Sequence, residues 1–290
     1  MYYAIDIKFN YYKLYMNNEI LNKSFTKAIN GGISGATAMG IQVTSLMWLR
    51  TTMNNQYRYG GTTMGTIKSL YSNGGIIRFY RGYLPALFIG PLARFGDIAA
   101  NEYTMNKFDD SNMSTQLKTL AGSSLAASWR VFLMPIDSLK TTLQVEGKSG
   151  VNLLKNKINE SGYRVLYHGT LASMTATFVG HYPWFLTYNI LNENLPKYDE
   201  TYKTFLRNGF IGFNAAVISD CCSNSFRVIK TTKQTYQSSI SYLGVTKEII
   251  KKDGVIGLLG RGLKTRVITN GLQGIVFTIS WKYIQSTYFK

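Results

Sequence analysis

A chain of 290 residues can bury a sizeable core, but 45% hydrophobic and 14% aromatic residues beside only 16% charged ones, with a formal charge of +17, exclude an ordinary soluble domain, which carries nearer a quarter charged residues. So basic, charge-poor and Gly-rich a composition points to a membrane or an anionic partner. Enzymatic chemistry finds no constellation: His168 and His181 lack a neighbouring nucleophile or metal-ligand spacing, Cys221 and Cys222 are adjacent, and no Gly-rich phosphate loop occurs.

The first 21 residues hold Tyr2, Tyr3, Tyr11, Tyr12 and Tyr15 and no Arg. They form neither an Arg-rich amphipathic transit peptide nor an apolar signal core, and read as an aromatic arm at a membrane interface or against a partner, or as a loose terminus. From residue 22 onward the chain repeats itself. Arg50-Thr51-Thr52, Lys140-Thr141-Thr142 and Lys230-Thr231-Thr232 recur at an interval of 90 residues (140 − 50 and 230 − 140). Downstream of each comes a second element, NGGIIRFYRG ending at Gly82, ESGYRVLYHG ending at Gly169 and DGVIGLLGRG ending at Gly262.

Small residues at four-residue spacing precede each triplet (Gly31 and Gly35; Gly122 and Ala126; Gly212 and Ala216), a period that lets helices approach closely inside membranes. An apolar stretch of ~20 residues, enough to cross a bilayer as a helix, follows each Gly-terminated element. Three units are therefore expected, 22–109, 110–199 and 200–290, each a helix, a basic loop with a short helix, and a second helix. The fold class is an all-α membrane protein with six transmembrane helices in three pseudo-symmetric repeats. Mean hydropathy is only −0.07, so these helices should surround a wet cavity that satisfies their polar groups. Loops inside the repeats are basic and loops between them are balanced, which puts the former on one face and both termini on the other.

The segment MPIDSLKTTLQ, Met134 to Gln144, resembles the mitochondrial carrier signature P-x-[DE]-x-x-[KR], and the resemblance covers essentially everything after the Tyr-rich arm. It implies that the motif ends each odd-numbered helix, that Pro135 kinks its helix, and that acids and bases pair across the bundle to close the matrix side. Two copies depart from the pattern, with Ser45 and Met47, then Ser225 and Arg227, where Pro135 and Asp137 stand. Arg50, Lys140 and Lys230 thus face the single acid Asp137, and Arg227 adds a fourth positive charge. On the even helices the family's acid positions hold Glu102, Asn189 and Lys282, so the opposite gate cannot form three pairs.

The resemblance also places cavity-facing side chains at Gly40, Arg130 and Asp220, where Arg130 and Asp220 could hold a zwitterion or pair with each other. Substrate-contact positions fall at Ile89 with Gly90, Ala176 with Thr177, and Thr269 with Asn270; Asp97, Arg94 and His181 are further candidates, His181 equally an ordinary interhelical histidine. The turns Arg81-Gly82 and Arg261-Gly262, with Tyr59-Gly60-Gly61, look like the family's cardiolipin sites, or are plain turns.

The expected protein is a solute carrier of the mitochondrial inner membrane, working by alternating access on a small-molecule solute, with termini in the intermembrane space. It is expected to be no enzyme and to need no cofactor beyond structural cardiolipin and other membrane lipids. The alternative is a transport-inactive subunit of a larger inner-membrane respiratory complex, held by other inner-membrane proteins. A nucleic-acid binder would need an exposed basic stripe and is not expected.

Overall fold

The structure, a computed structural model, describes residues 34–108 and 115–288. Contacts group residues 43–273 into one compact unit, which carries the features analysed below; the described parts of the other unit, 34–42 and 274–288, are helical. The Tyr-rich arm and Gly31 lie outside the described residues. Every regular element described is helical: α1 (34–59), α2 (Thr63–Ser72), α3 (Gly75–Phe79), α4 (Tyr83–Lys107), α5 (Thr115–Glu146), α6 (Gly150–Ser161), α7 (Thr170–Asn194), α8 (Thr201–Thr235), α9 (Tyr242–Gly260) and α10 (Leu263–Tyr288). The order is long helix, short helices, long helix, three times over. Among the described residues no helix is long and apolar enough to cross a membrane by hydropathy, so six crossings do not follow from hydropathy. Charges such as Asp97, Arg130 and Asp220 interrupt the apolar character of α4, α5 and α8.

Glycines set the direction of each loop. Gly75, Gly162 and Gly254 turn the chain with φ of 63°, 70° and 69°, and Gly82, Gly169 and Gly262, with φ of 80°, 88° and 67°, launch α4, α7 and α10. The second set has a further constraint. A Cβ at Gly82 would lie 2.8 Å from the Lys140 carbonyl oxygen, one at Gly169 3.2 Å from that of Lys230, and one at Gly262 3.2 Å from that of Met53. The first repeat's turn therefore sits on α5, the second's on α8 and the third's on α1, which closes the three repeats into a ring. Only glycine meets both the left-handed backbone and the close approach.

Polar bonds follow the same rotation. Within each repeat the carbonyl three residues before the turn glycine accepts a side-chain bond from the odd helix: Thr51 Oγ1 donates to Phe79 O (2.6 Å), Ser138 Oγ to Leu166 O (2.7 Å) and Asn224 Nδ2 to Leu259 O (2.8 Å). Between repeats a base caps the end of the next odd helix, where carbonyls lack intrahelical partners and the dipole favours positive charge. Arg78 donates to Gln144 O (2.9 Å) and Val145 O (2.6 Å), Lys157 to Gln234 O (3.1 Å) and Tyr236 O (2.9 Å), and Arg261 to Arg58 O (3.1 Å). Burial, with Lys233 and Arg58 nearby, brings the Lys157 ammonium down to about 8. The same surroundings act on His168, which burial and then Lys233 and Lys157 hold at about 4, so its ring is neutral at physiological pH.

Large apolar side chains face outward in stripes. Leu84, Phe88, Leu92 and Phe95 of α4 recur every three or four residues and are all exposed, as are Leu171, Phe178, Tyr182, Leu186 and Ile190 of α7. Contiguous exposed apolar surface of this kind marks an interaction with lipid or another protein.

The turn geometry yields a stability contrast. Gly82→Ala should cost about 1–3 kcal/mol from the left-handed backbone and more from the Lys140 carbonyl, whereas Gly209→Ala, in the exposed middle of α8 with open space around it, should be neutral or stabilising. Thermal unfolding of the purified protein checks this; equal effects at the two positions would contradict it.

Candidate functional site

The long helices of the 43–273 unit enclose a cavity of about 250 Å³ lined from all three repeats. The first contributes Arg50, Asn54, Tyr57 and Ala86, the second Lys140, Gln144, Ser173 and Ala176, and the third Arg227, Lys230, Arg266, Thr269 and Asn270. Ala86, Ser173 and Arg266 stand four residues past the three turn glycines, so the even helices present matching positions with one charge among them. Liquid water occupies about 30 Å³ per molecule; the space thus suits a small solute rather than a single ordered water.

Asp137 knits the floor. Its Oδ1 lies 2.6 Å from Lys140 Nζ, one turn along α5, and its Oδ2 lies 2.5 Å from Lys230 Nζ on α8. Gln234 Nε2 adds a donor at 3.3 Å from the same Oδ2 and also reaches Ser138 Oγ (3.2 Å). This carboxylate is 6% exposed, and a charge so deeply placed persists only when paired and hydrogen-bonded. The floor's link to α1 is uncharged: Asn54 Nδ2 donates to Gln144 Oε1 (2.5 Å), and Gln144 Nε2 approaches Met47 Sδ (3.5 Å).

Arg50 and Arg227 behave differently from the two lysines. Both line the cavity, and neither makes an ion pair among the described residues. Among the described residues Arg50 Nε is buried without a hydrogen-bond partner, and Arg227 donates from Nε to Ser223 Oγ at 3.3 Å. Three bases converging on Asp137, as the sequence suggested, become two.

Arg130 and Asp220 do not meet. Arg130 Nη2 forks onto both oxygens of Asp97 (2.8 and 2.6 Å), joining α5 to α4. Asp220 instead takes Arg266 Nε (2.5 Å) and the amide of Asn270, joining α8 to α10. Of the two alternatives, direct pairing is not formed, because each charge has a nearer partner on a helix adjoining its own. His181 Nδ1 shares a proton with Ser123 Oγ at 3.0 Å, and its ring meets Phe185 edge to face. Ile89 is buried outside the cavity lining, and Thr177 donates to Ser173 O (3.0 Å), so Ala176 lines the space instead. Pro135 sits within α5 on an apolar groove with Leu84, Phe88, Ile136, Leu139 and Leu154.

Of the opposite gate, Asn189 is exposed, while the side chains of Glu102 and Lys282, like that of Arg94, lie outside the described ones. At the loops, Tyr59 donates its hydroxyl to Glu146 Oε1 (2.6 Å), and Gly61 turns with φ of 94°. Arg261 is held by Asp253 (2.6 Å) and caps α1, so its guanidinium is occupied; Arg81 is half-buried beside Gly82.

Two features escaped the sequence reading. Arg266 lies one turn before Thr269 and Asn270, and only the register of the even helices could have singled it out. Asn54, Gln144 and Gln234 repeat at the same 90-residue interval, four residues after the bases, a signal that was present in the sequence.

The model of the family described as mitochondrial carrier protein matches three times, at residues 22–112, 111–199 and 201–290. The chain belongs to the mitochondrial carrier family. The carriers named next resemble it distantly. A mitochondrial thiamine pyrophosphate carrier of Candida albicans is 23% identical over 57% of this chain and 58% of its own length. A mitochondrial substrate carrier family protein of Dictyostelium discoideum is 25% identical over 93% of the chain and 96% of its own, and a mitochondrial ornithine transporter of Saccharomyces cerevisiae 27% identical over 81% and 86%.

Proposed function

We propose that this member of the family is a solute transporter of the mitochondrial inner membrane that alternates access to its central cavity. The observation that carries the reading is the polar cavity lined by equivalent positions of all three repeats, with a floor held by Asp137. A solute touching all three repeats can bias how they are arranged, which is what alternating access requires. Opening the floor has a defined first event. Lys140 moves with Asp137 on α5, so separating α5 from α8 breaks the ion pair to Lys230 and the Gln234 bonds, while α1 parts from α5 by losing neutral-donor bonds, Asn54 to Gln144 at the floor and Tyr59 to Glu146 below it. The relatives supply candidate solutes, thiamine pyrophosphate and ornithine, and give no support to the alternative of a respiratory-complex subunit.

In this reading the exposed apolar stripes of α4 and α7 face lipid, the chain crosses the membrane six times, and both termini face the intermembrane space. Structural cardiolipin is part of the proposal: the groove beside Gly82 could take acyl chains, and the amides at the start of α4 a phosphate. Adding cardiolipin to delipidated protein should raise its unfolding temperature more than phosphatidylcholine does; equal responses to the two lipids would remove cardiolipin from the account.

Uptake into liposomes tests the transport reading. With a panel including thiamine pyrophosphate and ornithine, at least one solute should accumulate or exchange. Ala176→Leu, which pushes a side chain into the cavity at about 1–3 kcal/mol of overpacking, should reduce that uptake by about tenfold or more, the equivalent of about 1.4 kcal/mol. Uptake of nothing by a folded wild type, or undiminished uptake by a folded Ala176→Leu protein, would refute it.

A further inference from the structure

The cavity is electrostatically incomplete. Five bases line it, Arg50, Lys140, Arg227, Lys230 and Arg266, and among the described residues the carboxylates in ion pairs with them are Asp137 and Asp220. Five less two leaves three uncompensated positive charges around a small space.

The excess has a location. Asp137 of α5 reaches Lys230 of α8, one repeat on. The same step from α8 to α1 replaces Asp137 by Arg227, 90 residues later, and replaces Lys230 by Arg50. By repeat equivalence, bases occupy both positions where the ring would otherwise hold an ion pair, and both line the same cavity. Among the described residues neither guanidinium makes an ion pair and Arg50 Nε has no hydrogen-bond partner. Largely buried positive charges without an ion-pair partner are costly unless an anion joins them, and planar guanidinium forks match the oxygens of phosphate in bidentate fashion.

We propose that a small soluble oxyanion of the diphosphate or phosphate-ester kind binds between Arg50 and Arg227 and completes the floor, serving as the counter-charge that the third repeat lacks. This rests on reading the cavity as the carrier's solute site. Three excess charges match a diphosphate better than a dicarboxylate, and Asn54, Tyr57 and Asn270 supply neutral polar partners on the same wall. The lining is mostly polar, with Met53, Ala86 and Ala176 its apolar members, so a lipid headgroup would bring acyl chains that find little apolar surface there. The class also separates the relatives' solutes. Thiamine pyrophosphate carries the required group, whereas ornithine, with two ammonium groups, would add to the excess.

The test is thermal unfolding of the purified full chain at constant ionic strength with inorganic pyrophosphate, succinate or ornithine. Pyrophosphate should raise the unfolding temperature saturably, by several degrees, because a ligand that binds only the folded state stabilises it; succinate should do less and ornithine nothing. Arg227→Asp, which gives Arg50 a carboxylate as Asp137 does for Lys230, should raise the ligand-free unfolding temperature and abolish the pyrophosphate response. Arg50→Gln should abolish the response as well. Lys251→Gln with Lys252→Gln, exposed on α9, should retain it and so exclude a general effect of the chain's positive charge. No response in the wild type, an equal one to ornithine or succinate, or a response surviving both Arg227→Asp and Arg50→Gln would overturn the proposal. Binding and transport fail separately: pyrophosphate stabilisation without uptake of any solute would sink the carrier reading and keep the anion site, and ornithine uptake without a pyrophosphate response would do the reverse.

Discussion

One buried carboxylate governs the floor of this molecule. Asp137 holds Lys140 on its own helix and Lys230 on the next odd helix, and its removal would leave two largely buried ammonium groups facing each other. A pair of this kind contributes less to stability than to arrangement, since its desolvation cost offsets much of its attraction. Its consequence is geometric. The α5–α8 side of the floor is fixed by charge and the α1–α5 side by an amide pair, while the equivalent positions of α8 and α1 hold Arg227 and Arg50, which line the cavity and make no ion pair among the described residues.

Around that asymmetric centre the backbone remains regular. Three turn glycines pack against three consecutive odd helices in rotation, and three bases cap the following odd helices. The side chains that serve these contacts have moved while the contacts have stayed. The same loop carbonyl is met by Thr51, Ser138 or Asn224, which sit at successively earlier turns of their own helices. Steric requirements on glycine admit no substitute, whereas a hydrogen bond to a carbonyl can be donated from any nearby turn that presents a suitable group. Such a scaffold tolerates erosion of its charged ring without losing its shape.

That difference explains what the sequence disclosed. The 90-residue interval, the basic-Gly turns and the helical character were legible because each rests on a local or periodic constraint. The partners of Arg130 and Asp220 were not, because both charges had two helices within reach and only packing chose Asp97 for one and Arg266 for the other. Arg266 was overlooked for a related reason: it lies in an even helix with no motif, and its importance arises from the acid it meets. Hydropathy gave no support to membrane crossings: among the described residues no helix is long and apolar enough to cross a membrane, and charges such as Asp97, Arg130 and Asp220 interrupt α4, α5 and α8.

The most direct measurement is the unfolding temperature of Asp137→Asn beside Lys140→Met, Lys230→Met and the combined Asp137→Asn with Lys230→Met. If Asp137 is the keystone, its neutralisation costs more than either lysine change, on the order of 3–5 kcal/mol, and adding Lys230→Met recovers part of the loss because one stranded charge has gone. An Asp137→Asn protein as stable as either lysine variant, or effects that simply add in the double variant, would contradict the account.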